Sequence, residues 1–306
     1  MALIAVLWIV SLLALLAAGI GSSGRVSSQL AFNAIENTKA KFLAEAGINL
    51  AIARLLHGDV FQTPLADGYA SLSSRTDEGL VAVEIRDEDG KIDLNFASVE
   101  LLAGLIGAAG FEGGASARAK AERIVDYRDG DGVALASGAE DPAYLAAGLT
   151  HGAADRPFRH VEELRSVLGM TDALHVRIRP HVTVFAQAAA VDPLRAADAV
   201  LRALPGIDAE TLSLIRASDR DGDILPILPE GTSEALEDYI STSRDLVFEV
   251  RALGQTKGGG RFLRETVIAF DGGRGRSPYT TYRWRRGELA DDDSLLKAIS
   301  VLDPSP

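Results

Sequence analysis

Residues 1–20, MALIAVLWIVSLLALLAAGI, carry no charged side chain, and Ser11 is their only hydroxyl. Twenty helical residues rise about 30 Å, the hydrocarbon thickness of a bilayer. Such a start can be a membrane span, a secretory signal or a buried core helix. A signal peptide opens on a basic region and has a shorter apolar run. Here no basic residue precedes Arg25, so the reading is a membrane anchor over residues 1–24. No proline follows until after His57, and Ile35, Phe42, Ala46, Leu50 and Ala53 lie on one helical stripe. Anchor and amphipathic segment therefore form one rod, with Gly19, Gly21 and Gly24 weakening the helix at the junction.

Beyond the rod, residues 58–79 contain Pro64 and scattered Ser, Gly and Asp, and read as a loop. Val81, Val83 and Ile85 then alternate as one face of a strand, Asp87-Glu88-Asp89-Gly90 is a turn, and residues 91–94 begin a return strand. From Phe96 to about Ile240 the pattern is helical, in short pieces punctuated by Gly and Pro. Three pieces, at 95–107, 158–170 and 197–207, share a polar cap, a short amphipathic helix and a glycine before a second helix. Two-residue periodicity returns at Arg244, giving three strands around 246–251, 264–270 and 279–285 with Gly-rich turns between them. The tail from 291, with three aspartates and a closing Pro-Ser-Pro, is expected to fray. The resulting fold class is α+β. A long N-terminal helix (1–24 and into 25–95) and a small antiparallel sheet (25–95 and 244–290) carry an all-helical domain inserted at 96–243.

Charge and motifs narrow the function. The formal net charge is −12, which disfavours nucleic acid and anionic lipid surfaces and suits divalent cations. There is no cysteine, so disulfides, thiol catalysis and Cys-based zinc sites are excluded. G-x-S-x-G, H-E-x-x-H and phosphate-loop motifs are absent, and His57, His151, His160, His175 and His181 show no metal spacing. No catalytic site is legible; the histidines read as surface or cap residues. The densest acidic cluster is Asp126, Asp129, Asp131, Glu140 and Asp141, five carboxylates within sixteen residues on a Gly-rich backbone. Such a loop supplies the oxygens calcium takes, but on composition alone a solvated acidic loop with capping aspartates is the preferred reading. Asp87 to Asp93 and Asp219 to Ile224 copy only the middle of an EF-hand loop, lack its first acid and its bidentate Glu, and read as turns.

The rival class is nucleic-acid binding. Leu204-Pro205-Gly206-Ile207 and its relatives are similar to the helix–hairpin–helix (SAM-like) motif, which would make the chain a membrane-anchored DNA-binding protein. Residues 91–205 hold 12 basic and 15 acidic side chains, a net of −3, and Thr171 and Asp208 stand where a second hairpin glycine is wanted. A helical packing unit without DNA affinity is the preferred reading.

The layout as a whole resembles type IV pilins and type II secretion pseudopilins. MALIAVLWIV, AEAGINLAIARLL, LNFAS, GAED and LPGI are similar to the K class of minor pseudopilins in particular, the general secretion pathway protein K family. This resemblance implies a protein of the pseudopilus tip that nucleates and caps the filament and is not an enzyme. It implies a single-pass inner-membrane anchor with the bulk of the chain in the periplasm, and processing by a prepilin peptidase. The partners it implies are minor pseudopilins, of the I and J classes first and the H class second, with the inner-membrane assembly platform and no nucleic acid. It also implies calcium in the inserted domain, held through a D-x-x-D-x-D…GAED stretch that Asp126, Asp129, Asp131, Glu140 and Asp141 match here. Ordinary pilins carry Glu at the fifth mature position, where it pairs with the preceding subunit's terminal ammonium. Ala5 stands there in this chain, which suits a first subunit because an unpaired buried carboxylate costs several kcal/mol.

Overall fold

The computed structural model describes residues 2–57, 69–110, 114–218, 224, 228–241, 246–270, 277–290 and 293–303, apart from the side chains of 2, 14–25, 230 and 233. Helix α1 (Ala2–Leu56) is continuous, its last turns lying across a five-stranded antiparallel sheet. The sheet order is β1 (Tyr69–Arg75), β2 (Gly79–Asp87), β5 (Val247–Thr256), β6 (Arg261–Ala269) and β7 (Thr280–Arg286). Val81, Val83 and Ile85 of β2 share a face with Phe248, Val250 and Ala252 of β5, and all six pack under α1.

The face α1 turns to the sheet differs from the expected stripe. Ile35, Phe42, Ala46, Leu50 and Ala53 are exposed, Phe42 by 62%. The buried positions are Ala40, Leu43, Ala44, Gly47, Ile48, Ala51 and Ile52. Both sets have helical periodicity, and interaxial distance chooses between them. A Cβ on Gly47 would lie 2.7 Å from Val81, and one on Gly254 would lie 2.3 Å from the Ala40 carbonyl oxygen. Ala40, Ala44, Gly47 and Ala51 allow that close approach, so the stripe that carries them, with Leu43, Ile48 and Ile52, is the one buried.

Three other expectations change. Strand β1 falls within the stretch read as loop and pairs with β2 from Tyr69↔Arg86 to Arg75↔Leu80. Residues 91–94 do not return along β2: β3 (Ile92–Asp93) pairs in parallel with β4 (Val182–Thr183) instead. The tail folds as α9 (Ser294–Leu302), capped by Asp293, with Leu295 and Ile299 against Leu80, Ala82, Leu253 and Leu263 on the second sheet face. Amphipathic spacing outweighs the acidic run before it.

Between β2 and β5 lies the helical domain. Asp87 ending β2 faces Phe248 opening β5, so the chain leaves and re-enters the sheet at adjacent points. The domain has its own apolar core, built from α2 (Val99–Ala108), α3 (Gly114–Arg128), α4 (Asp141–Ala146), α5 (Asp172–Ile178), α6 (Asp198–Leu201), α7 (Ala209–Ala217), α8 (Glu230–Leu236) and 3₁₀ turns at Glu88–Gly90, Val161–Ser166 and Arg179–His181. Ser98 caps α2 as its sequence predicts, accepting from the Leu101 N–H at 3.2 Å. The three similar pieces are not three like helices: the second is the 3₁₀ turn Val161–Ser166 and the third the single turn α6. What recurs is a glycine with positive φ followed two residues later by an N-cap, Gly169 (φ +81) with Thr171 and Gly206 (φ +76) with Asp208.

The seam between domain and sheet is ionic. Lys91 bridges Glu88 and Glu249 at 2.7 Å each, and Arg285 reaches Glu162 at 2.7 Å and Glu265 at 2.9 Å. A separate cluster lies within the sheet unit, where Arg251 of β5 is 2.6 Å from Asp293, 3.3 Å from Glu265 and 3.8 Å from Glu84.

Candidate metal centre

Helix α3 presents Glu122 and Asp126 on its buried side, then ends at Arg128, releasing Asp129, Gly130 and Asp131 into a loop that returns to α4. That loop has no strand or helix to satisfy its backbone, and carboxylates do so instead. Asp126, fully buried, accepts from the N–H of Leu135 at 3.1 Å and of Ala139 at 2.7 Å, and Glu122 accepts from Ser137 at 2.7 Å. A Cβ at Gly138 would fall 1.8 Å from the Asp126 carboxylate, so only glycine lets the loop close there. Asp141 accepts from the Ala153 N–H at 3.0 Å and so ties α4 to the following segment.

The five sequence candidates thus divide by role. Asp126 and Asp141 hold backbone. Asp129, Asp131 and Glu140 converge, with carboxylate oxygens all within 4.8 Å of one another. Asp131 also accepts from the Val133 N–H at 2.8 Å, whereas Asp129 Oδ1 and Glu140 Oε1 are buried without a hydrogen-bond partner. Arg128, the nearest cation in sequence, points elsewhere and donates to the carbonyls of Leu94 and Ala97. Burial, then the charges of Asp131 and Asp126, push the Asp129 carboxyl upward. Burial, then Asp126, Asp129, Asp155 and Asp131, do the same at Glu140. Like charges gathered around unpartnered oxygens, with no internal cation turned toward them, fit a hard divalent ion. Among the described residues this is the one convergence of three such groups.

Sequence reading missed two contributors. Glu122 looks like an ordinary helix-surface acid until the loop folds back onto it. Asp155 shows itself only by its positive φ of 51° and its field on Glu140.

The remaining candidates fall out differently. Around the first Asp-Gly loop, Asp87 pairs with Arg195 at 2.9 Å, Glu88 with Lys91 at 2.7 Å, and Asp93 accepts from the N–H of Asn95 and Gln187. It is a turn, as read. Most of the second loop, 219–223, lies outside the described residues. At the helix–hairpin–helix candidates, Thr171 accepts from the Leu174 N–H at 3.2 Å and Asp208 from the Thr211 N–H at 2.8 Å. The helix N-termini that would face a phosphate are thus covered by the chain's own oxygens, one anionic. His175 is no surface residue: it is 1% exposed, with neither ring nitrogen partnered. The centre of the expected membrane anchor, the side chains of 14–25, lies outside the described residues; over its described residues no helix is long and apolar enough to cross a membrane.

A helix laid on an antiparallel sheet, with a second helical domain spliced between two neighbouring strands and an acidic loop at its heart, defines a pilin-like α+β protein carrying a large insertion. Residues 80–187, which span β2 and the first half of that insertion, match the family described as Type II secretion system (T2SS), protein K. The type II secretion system protein K of Klebsiella pneumoniae is 28% identical over 204 residues, covering 60% of this chain and 62% of that protein. The chain therefore spans a little under two thirds of the curated relative it matches. A chain in the crystal structure of the GspK–GspI–GspJ complex from the enterotoxigenic Escherichia coli Type 2 Secretion System shares the fold. Its TM-score is 0.63 at 20% identity, over 87% of this chain and 100% of that one.

Proposed function

We propose that this protein is a minor pseudopilin at the tip of the type II secretion pseudopilus, where it nucleates assembly and caps the filament in a structural, non-enzymatic role. The observation that carries this reading is the match over residues 80–187, which falls on the insertion that sets this chain apart from a plain pilin. Residues 1–24 anchor the chain in the inner membrane before assembly, with the rest in the periplasm. The uncharged run of residues 1–20 supports this. The apolar side chains that α1 leaves exposed, Val26, Leu30, Phe32, Ile35, Phe42 and Leu50, supply a face for neighbouring subunits' helices. Those neighbours are minor pseudopilins of the I and J classes, as the similar complex suggests, with H, the assembly platform and the prepilin peptidase as further partners.

Calcium belongs to the same proposal. Asp129, Asp131 and Glu140 would hold it, while Asp126 and Asp141 shape the loop that presents them. When bound, the ion supplies the positive charge that the converging carboxylates lack.

Co-expression tests the reading. The tagged full chain should bring down its I- and J-class pseudopilins from detergent-solubilised membranes, and Phe42→Glu with Leu50→Glu should reduce their yield. Recovery of DNA in a salt-dependent manner, with no pseudopilin, would sink it.

A further inference from the structure

His175 and His181 lie six residues apart, one on α5 and the other closing the 3₁₀ turn Arg179–His181 that feeds β4. His175 is enclosed among core residues of the helical domain, and both its ring nitrogens are unpartnered. His181 has its Nδ1 buried and unpartnered at a small cavity between Arg86, Asp87, Lys91 and Arg195. A neutral imidazole tolerates such surroundings. An imidazolium at His181 would stand beside Arg86, Lys91 and Arg195, with the one carboxylate there, Asp87, already held by Arg195 at 2.9 Å.

We propose that these two histidines make the α5–β4 segment an acid-opened latch: neutral, they keep the helical domain seated on the sheet; protonated, they release it. The segment sits on the seam. Glu162, in the 3₁₀ turn packed against α5, receives Arg285 from β7 and lies 3.7 Å from Arg179. Thr183 of β4 donates to Glu88, which holds Lys91, which holds Glu249 on β5. Opening residues 172–183 therefore loosens two of the ionic ties between domain and sheet, those of Glu162 with Arg285 and of Lys91 with Glu249.

At each histidine, burial and the neighbouring cations outweigh the carboxylates, and the net direction is the same. His175 faces Arg165 and Arg179, with Glu162 and Asp172 acting more weakly in the opposite sense, and burial is the largest cause lowering its pKa. Burial, then Arg86 and Lys91, bring His181 down to about 4. For groups depressed when folded, the opened segment binds more protons. Its opening is therefore favoured as pH falls below the free imidazole value of about 6.5, until the folded pKa is reached. Asp87 runs the other way, because burial pushes its carboxyl up to about 7. The Asp126, Asp129 and Glu140 carboxyls, also raised, share its sign. Whole-molecule melting would blur these opposing trends, so the latch must be measured locally.

The test uses the full chain in detergent micelles, by hydrogen exchange with mass spectrometry from pH 7 to pH 4.5, normalised to unstructured-peptide rates. Opening of 172–183 should rise about tenfold per pH unit for each proton taken up, while β5 and β6 stay protected. His175→Phe and His181→Phe should each remove one proton from that slope; the exposed His160→Ala should leave it unchanged. Ring C2–H resonances followed in the wild type decide the matter even where a variant fails to fold. Both histidines should titrate below 6.5, His181 near 4. Titration of both near 6.5, or an acid slope unaltered in both Phe variants, overturns the latch.

Discussion

Glu140→Gln should change the protein's stability in opposite directions with and without calcium; carboxylate spacing sets the size of the first effect and mass action that of the second. The carboxylate oxygens of Asp129, Asp131 and Glu140 lie within 4.8 Å of one another. At that distance a like-charge pair costs about 1 kcal/mol at the dielectric of water and about 3 kcal/mol at an effective value near 20. Removing one of three charges deletes two such pairs, of which solvent screening leaves the lower figure. The unpartnered Glu140 Oε1 is exchanged for a neutral amide of the same shape. In chelator, Glu140→Gln should therefore stabilise the helical domain by about 1–2 kcal/mol, a rise of several degrees in Tm. Calcium reverses the ranking. A site filled at a hundred times its Kd adds about 2.7 kcal/mol to the wild type, and a variant with two carboxylates should lose most of that. The assay is thermal unfolding of wild type and variant by circular dichroism, in chelator and in millimolar calcium, with magnesium as control. Magnesium demands stricter octahedral geometry and should stabilise the wild type less. The calcium gain should also shrink as pH falls, because the raised carboxyls of Asp129 and Glu140 take up protons that compete with the ion. A variant that melts lower than wild type in chelator, or that keeps the full calcium gain, refutes both the convergence and its role.

Three further outcomes follow from packing and charge. Gly254→Val should destabilise the sheet–α1 contact by about 3 kcal/mol or more, because even its Cβ meets backbone at Ala40 and Ala44 that cannot step aside; a urea midpoint equal to wild type would contradict the close approach. Arg251→Ala should cost about 3 kcal/mol, since it takes from buried Asp293 its ion-pair partner, while Glu265 keeps Arg285 and Glu84 keeps Arg86. Loss of protection should then start at α9, which Asp293 caps, and exchange uniform across the sheet would argue against that. Deletion of residues 1–24 should leave a soluble fragment with native circular dichroism, because the buried face of α1 begins only at Glu36; aggregation of that fragment in the absence of detergent would place the domain boundary elsewhere.

Local chemistry was legible without coordinates wherever it decided the outcome by itself. The alternation of Val81, Val83 and Ile85, and that of Phe248 and Val250, names strand faces that the sheet uses as read. Ser98 caps a helix because a hydroxyl three residues before a free N–H has one good use. The acidic loop was visible as composition. Tertiary structure decided what depends on distances between segments remote in sequence. Which stripe of α1 is buried follows from how near the sheet can come, and Gly47 and Gly254 set that approach. The partner of β3 lies some ninety residues away on β4, beyond any pattern local to residues 91–94. Whether a carboxylate serves as a backbone clamp turns on which N–H groups the folded loop brings to it. Asp126 and Asp141 meet such donors; the Asp129 Oδ1 and Glu140 Oε1 atoms do not. Side-chain identity sets what a group can do, and only the packed chain determines what stands opposite it.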